Sequence, residues 1–134
     1  MSQEAPGRLF QDTDFIVDGF KGKKLEGLIG VVDREEPDSG PLLIYIKAED
    51  NAWQQFFLEE GMGIWENWGE LDIDDPSFLY IDYAKEFNLG YEAIHSVYCL
   101  DSCITIEFKN KETLLLRYVD AENKESDCEF VKEV

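Results

Sequence analysis

Histidine occurs once in this chain of 134 residues, at His95, and that scarcity leaves imidazole-based triads without any choice of base. The residue lies in IHSVYC, between Ile94 and Val97, where an apolar alternation makes it a structural strand residue. Cysteine is scarce and odd in number: Cys99, Cys103 and Cys128. A structural zinc site needs four ligands, often as two C-x-x-C pairs, so zinc is not expected. A nucleophilic cysteine needs a base or an electropositive surrounding, which a chain so rich in acids does not supply. No apolar run approaches the roughly 18 residues that span a bilayer; residues 25–32 are interrupted by Glu26, Gly27 and Gly30. The opening MSQEAPGRLF lacks the basic and apolar regions of a secretory signal, so a cytoplasmic, reduced protein is expected.

Positive charge is the most uneven scarcity. Twelve Lys and Arg stand against thirty Asp and Glu, a formal charge of −18, and none of the twelve falls in residues 48–84. A field of one sign disfavours direct contact with nucleic acid or an anionic membrane and favours a cationic partner. Yet hydrophobic residues at 44% and aromatics at 13% exclude a disordered acidic tail, which lacks the apolar content to offset chain entropy. A chain of this length fits one domain, able to bury roughly 68% of its unfolded surface.

The pattern along the chain predicts an α+β domain over residues 1–134, with residues 1–8 as a loose leader. Residues 15–17 and 25–32 form two β-rich segments around the turn Lys21-Gly22-Lys23-Lys24, a first hairpin. The loop REEPDSG then leads into the strand PLLIYIK. Trp53, Phe56, Phe57 and Glu60 fall at helical spacing, with Asp50 as cap and Gly61 as terminator, which predicts a helix over residues 52–60. Leu71 and Ile73 alternate with Glu70, Asp72 and Asp74, giving a strand or extended segment with one acidic face. Asp75-Pro76 can start a second helix carrying Leu79, Tyr83, Ala84 and Phe87, though FLYIDY, residues 78–83, suits a strand as well. Residues 93–99, 103–108 and 113–119 make a three-strand meander, and Phe130 and Val131 add a short last strand. About six strands and one or two short central helices result.

Specific chemistry fails by spacing. Asp72-Ile73-Asp74 begins like a calcium loop, but the sixth position is Ser77 instead of Gly and the twelfth is Tyr83 instead of Glu. GFKGKK and GLIG match neither phosphate-cradling glycine pattern. Carboxylates are so numerous that their proximity in sequence is no sign of a glycosidase pair. A three-residue hairpin loop over residues 100–102 would set Cys99 facing Cys103, although a reducing compartment favours free thiols. No catalytic residue, metal ligand or cofactor is assigned.

What remains is the stretch GIWENWGELDIDDPS, residues 63–77. Residues 48–84 hold ten acids and all three tryptophans, Trp53, Trp65 and Trp68. A solubilising surface usually intersperses both signs, and segregation points instead to a binding face. There acid steers a basic partner into encounter and Trp anchors it. Trp53 belongs to the core, beside Phe56 and Phe57, whereas Trp65 and Trp68, bracketed by Gly61, Gly63 and Gly69, suit core and surface alike. The candidate contact residues are Glu59, Glu60, Trp65, Glu66, Trp68, Glu70, Asp72, Asp74 and Asp75.

In this base-free run, in GIWENWGELDIDDP and in the final meander, the chain resembles the small acidic immunity proteins that bacteria encode beside polymorphic or contact-dependent toxins. Many of those toxins are nucleases with basic active-site surfaces. The likeness is one of overall pattern without a diagnostic motif, and it transfers no residue. It implies a non-catalytic inhibitor that occludes a basic protein such as a toxin, with no cofactor. Two other classes suit the same residues: a small-ligand or divalent-cation module, and a DNA-mimicking inhibitor of a nucleic-acid enzyme.

Overall fold

The computed structural model describes residues 9–133, so the leader expected at residues 1–8 lies outside the described residues. Eleven strands are found among them: β1 (Leu9–Asp12), β2 (Phe15–Val17), β3 (Leu25–Asp33), β4 (Leu43–Ala48), β5 (Trp53–Glu59), β6 (Met62–Gly69), β7 (Phe78–Asp82), β8 (Ile94–Leu100), β9 (Cys103–Phe108), β10 (Thr113–Tyr118) and β11 (Cys128–Glu133). Among the described residues helix is confined to a single turn, α1 (Tyr83–Glu86), and a 3-10 turn at Pro37–Ser39. The expectation of an α+β domain is therefore overturned. The strands form two antiparallel sheets, in the orders β1-β6-β5-β4-β3-β7 and β11-β10-β9-β8-β2.

One apolar cluster joins the two sheets. Leu28, Ile44, Ile46 and Phe56 of the six-stranded sheet meet Val97, Ile104, Ile106, Leu114 and Leu116 of the five-stranded one, all essentially without solvent exposure. Side chains of period two from each inner face thus fill the space between the sheets. Along one flank Tyr83 and Phe87 pack on Phe130 of β11, with centroids 4.8 and 5.7 Å away. The single helical turn serves to bring these rings over the gap. Asp82 caps it by accepting from the Lys85 amide at 3.2 Å.

Three further expectations are corrected by this topology. In place of the helix expected over residues 52–60, Trp53–Glu59 form β5, because a strand covered on both faces mimics helical spacing: Phe56 and Leu58 point into the core, while Trp53 crosses the other face to lie on Gly27. A Cβ on Gly27 would stand 2.5 Å from the indole. Residues 78–82 take the strand alternative and are followed directly by α1, so no second helix spans 76–88. The hairpin expected from residues 15–17 and 25–32 does not exist. β2 pairs with β8 and β3 with β4 and β7, and between them the wholly buried Phe20 marks where the chain passes from one sheet to the other.

The C-terminal meander forms as expected, and β11 extends the expected last strand. Its first turn has two residues, Asp101 and Ser102, both at positive φ (53° and 61°), as a tight type I′ hairpin requires. Leu100 therefore pairs with Cys103 and Cys99 with Ile104, which sets the two thiols on opposite faces of the sheet and leaves both free.

Candidate functional site

The connection from β6 to β7 shapes the outer face of the six-stranded sheet. β6 lies second in the sheet and ends at Gly69, which pairs with Trp53; β7 is the far edge strand and starts at Phe78, which pairs with Asp33 at the opposite end of β3. Residues 70–77 must therefore travel across both the width and the length of the sheet. They carry no secondary structure over 71–75, so of the strand or extended segment expected around Leu71 and Ile73 the strand does not form. Local hydrogen bonds hold the crossing instead. Asp72 Oδ1 accepts from the Asp74 amide at 3.0 Å and Asp75 Oδ1 from the Ser77 amide at 2.9 Å. At its far end Arg34 donates from Nε to the Pro76 carbonyl at 2.8 Å.

The crossing covers apolar side chains that do not belong to the main core. Val31 and Tyr45 are buried yet stand apart from the cluster between the sheets. Together with Leu43, Phe78 and Tyr80 they floor a cleft of about 480 Å³ bordered by Asp72, Asp74 and Asp75. The floor follows from strand period: Leu43 and Tyr45 of β4, Val31 of β3 and Tyr80 of β7 fall on one face through the pairings Val31–Leu43, Val31–Tyr80 and Ile29–Tyr45. Burial raises the Tyr45 phenol pKa, and the neighbouring Tyr80 and Glu66 oxygens raise it further.

The proposed contact residues separate into four groups. Glu66 and Trp68 lie on the outer face beside Tyr45: Glu66 accepts from Gln55 Nε2 at 3.1 Å, and Trp68 is 40% exposed with its ring on that of Tyr45. Asp72, Asp74 and Asp75 border the cleft, and Glu70 is exposed at the start of the crossing. Trp65 lies elsewhere. Alternation sends it to the inner face, where it pairs with Phe56, packs against the core and donates from Nε1 to Gln54 Oε1. It is structural and is withdrawn from the contact set.

Glu59 and Glu60 sit at the β5–β6 turn, on an adjoining cleft that shares Leu42 with the first. That neighbour also contains Lys124, whose ammonium lies 5.5 Å over the Tyr118 ring, so its field is less purely acidic. Tyr45, Tyr80, Leu43 and Phe78 were not among the expected contacts. Their signal lay in two strand segments, PLLIYIK and FLYIDY, that are apolar on both faces and so demand a second covering layer.

Elsewhere, Tyr98 Oη and Ser96 Oγ donate to the two oxygens of Glu107, at 2.7 and 3.1 Å, and the three form a closed polar set on the five-stranded sheet. Burial holds the Cys99 thiol up at about 12 and the Cys128 thiol at about 11, which keeps both protonated and unreactive at neutral pH. Among the described residues no group of three or more His, Cys, Asp or Glu is placed to hold a metal ion. Likewise, no helix is long and apolar enough to cross a membrane. Comparison with protein-family models, curated proteins and solved structures found no match.

Proposed function

We propose that the protein is a non-catalytic, cytoplasmic inhibitor of the immunity type, which occludes a basic protein partner such as a toxin without using a cofactor. The reading is carried by one feature: the base-free crossing over residues 70–77 lies on the same outer face as the half-exposed Trp68. Acids there raise the rate of encounter with a basic surface, and an aromatic anchor beside them lowers the rate of escape. Ile73 and Leu42, 50% and 49% exposed, extend the apolar part of this face. Exposed apolar groups amid acids are what a protein interface uses and what solubility alone does not require.

The test is affinity capture from the source cell at low and then moderate salt, followed by purification of any basic protein retained. A genuine partner forms a stoichiometric complex in which its own activity is suppressed, and recovers that activity on dissociation. A retained protein whose activity is unchanged in the complex would remove the inhibitor reading. A small-ligand module is the second reading, favoured by the aromatic floor of the cleft. It predicts saturable quenching of tryptophan fluorescence by a small molecule in the absence of any protein.

A further inference from the structure

The cleft between the crossing and the sheet is bordered by three carboxylates, which when ionised only accept, and by the Tyr45 and Tyr80 hydroxyls, which can accept as well as donate. Asp72 and Asp75 each commit one carboxylate oxygen to a backbone amide, which leaves their second oxygens and the Asp74 carboxylate available. No Lys or Arg lines the cleft among the described residues. Two cations of neighbouring segments are already engaged, Arg34 on the Pro76 and Phe78 carbonyls and Lys47 on Glu26 at 2.8 Å.

A second observation concerns Tyr45, which is only 8% exposed. Its hydroxyl has no hydrogen-bond partner among the described residues, whereas every fully enclosed side-chain polar atom there has one. The Tyr45 oxygen must therefore keep its access to the cleft it lines. A phenol whose ring is buried while its oxygen stays accessible and without a partner among the described residues, next to Tyr80 and Glu66, is a polar group open to an incoming donor.

We propose that this cleft receives an arginine side chain of the basic partner, with the guanidinium between the Asp74 carboxylate and the Tyr45 hydroxyl and its plane against the Tyr80 and Phe78 rings. The inference rests on the inhibitor reading and names the group that reading leaves open. Arginine fits better than lysine for two reasons. Its five donors, arranged as a planar fork, match acceptors that are spread along the rim. Its delocalised cation is weakly hydrated and stacks on aromatic faces, whereas an ammonium is a compact, strongly hydrated point charge.

The experiment titrates the protein with N-acetylarginine amide, N-acetyllysine amide and N-acetylcitrulline amide, following backbone amide shifts and the Trp68 indole signal by NMR. Citrulline keeps the shape of arginine and removes its charge. Expected are saturable shifts confined to residues 43–45, 68, 72–75, 78 and 80, with arginine ahead of lysine and citrulline inert. Tyr45→Phe and Asp74→Asn should each weaken arginine binding about tenfold, the scale of one hydrogen bond to a charged group. Glu122→Gln, an equal loss of charge elsewhere, should leave it unchanged. Shifts spread over all acidic surfaces, equal responses to arginine and lysine, or no response would overturn the proposal, and the map on the unaltered protein needs no variant to fold. Failure here with inhibition of a captured partner intact removes only the arginine cleft. Arginine binding in the cleft with no partner protein inhibited removes only the inhibitor reading.

Discussion

The indole of Trp68 packs on the ring of Tyr45, with centroids 5.7 Å apart and planes inclined by 53°, so the most exposed tryptophan is fixed in place by the phenol that floors the cleft. Trp65, three positions earlier, instead joins the core and binds Gln54. The two rings therefore predict opposite phenotypes. Trp65→Ala should cost about 3 kcal/mol or more in urea unfolding, the range for deleting a large core aromatic. Trp68→Ala should cost only about 1 kcal/mol, the worth of an aromatic pair. Its main effect should appear in surface-immobilised binding assays, as a dissociation rate raised about tenfold or more with association nearly unchanged.

The steering role of the crossing can be tested without unfolding it. Asp72 holds a turn through its Oδ1, so the conservative change there is Asp72→Asn, which keeps the acceptor oxygen. Glu70 and Asp74 are exposed and tolerate lysine. The triple variant Glu70→Lys, Asp72→Asn, Asp74→Lys should slow association with the basic partner by about one to two orders of magnitude at low ionic strength. The difference should shrink at several hundred millimolar salt, where the screening length falls to a few ångströms. Stopped-flow association rates across a salt series give both quantities. An association rate equal to that of the unaltered protein at low salt would remove the electrostatic part of the reading.

Close packing of the two sheets depends on Gly63. A Cβ there would stand 2.5 Å from Cys99 Sγ and 3.1 Å from a Phe15 ring carbon. Gly63→Ala should therefore destabilise by about 1–3 kcal/mol through overpacking. Cys99→Ala removes the nearer obstacle, so the double variant should lose less than the sum of the single losses. A double-mutant cycle from chemical denaturation should show favourable coupling of about 1 kcal/mol. Additive losses would mean that the backbone, not the thiol, takes up the strain.

The meander was legible because its strands alternate cleanly and its turns are short: Val97, Cys99, Ile104 and Ile106 face inward, and only two residues separate β8 from β9. The central third was not, and the reason is the covering layer. β5 has Trp53 lying on Gly27 on one face and Phe56 in the core on the other, so its apolar residues follow no period of two and fall by accident at helical spacing. The same layer explains the site. The acids of the crossing were visible as composition, yet their partners Tyr45 and Tyr80 come from strands on either side of β3, brought together by long-range pairing that no local pattern encodes. The outward direction of Trp68 and the inward direction of Trp65 depend on the register of β6 against β5, where a slip of one residue would exchange them.

Alkaline pH supplies a test of the core that is independent of any partner. Burial is the main cause that holds the Cys99 thiol at about 12, with Cys103 and Asp14 adding smaller repulsions. In the unfolded chain a thiol titrates near 8.5. Below that value both states keep the proton and the stabilising difference is fully present. As pH rises further the unfolded chain ionises first and binds fewer protons than the native state, so stability falls progressively until the folded thiol also titrates near 12. The integrated loss from this one group is on the order of 5 kcal/mol. Denaturant midpoints measured from pH 8 to 11 should therefore decline, and Cys99→Ala should flatten the decline while lowering stability at pH 7 by removing a buried side chain. Cys128, raised to about 11 by burial, titrates alike in both proteins and leaves a residual slope. Identical slopes for the two would show that Cys99 ionises without resistance, and hence that water reaches the space between Gly63 and Phe15.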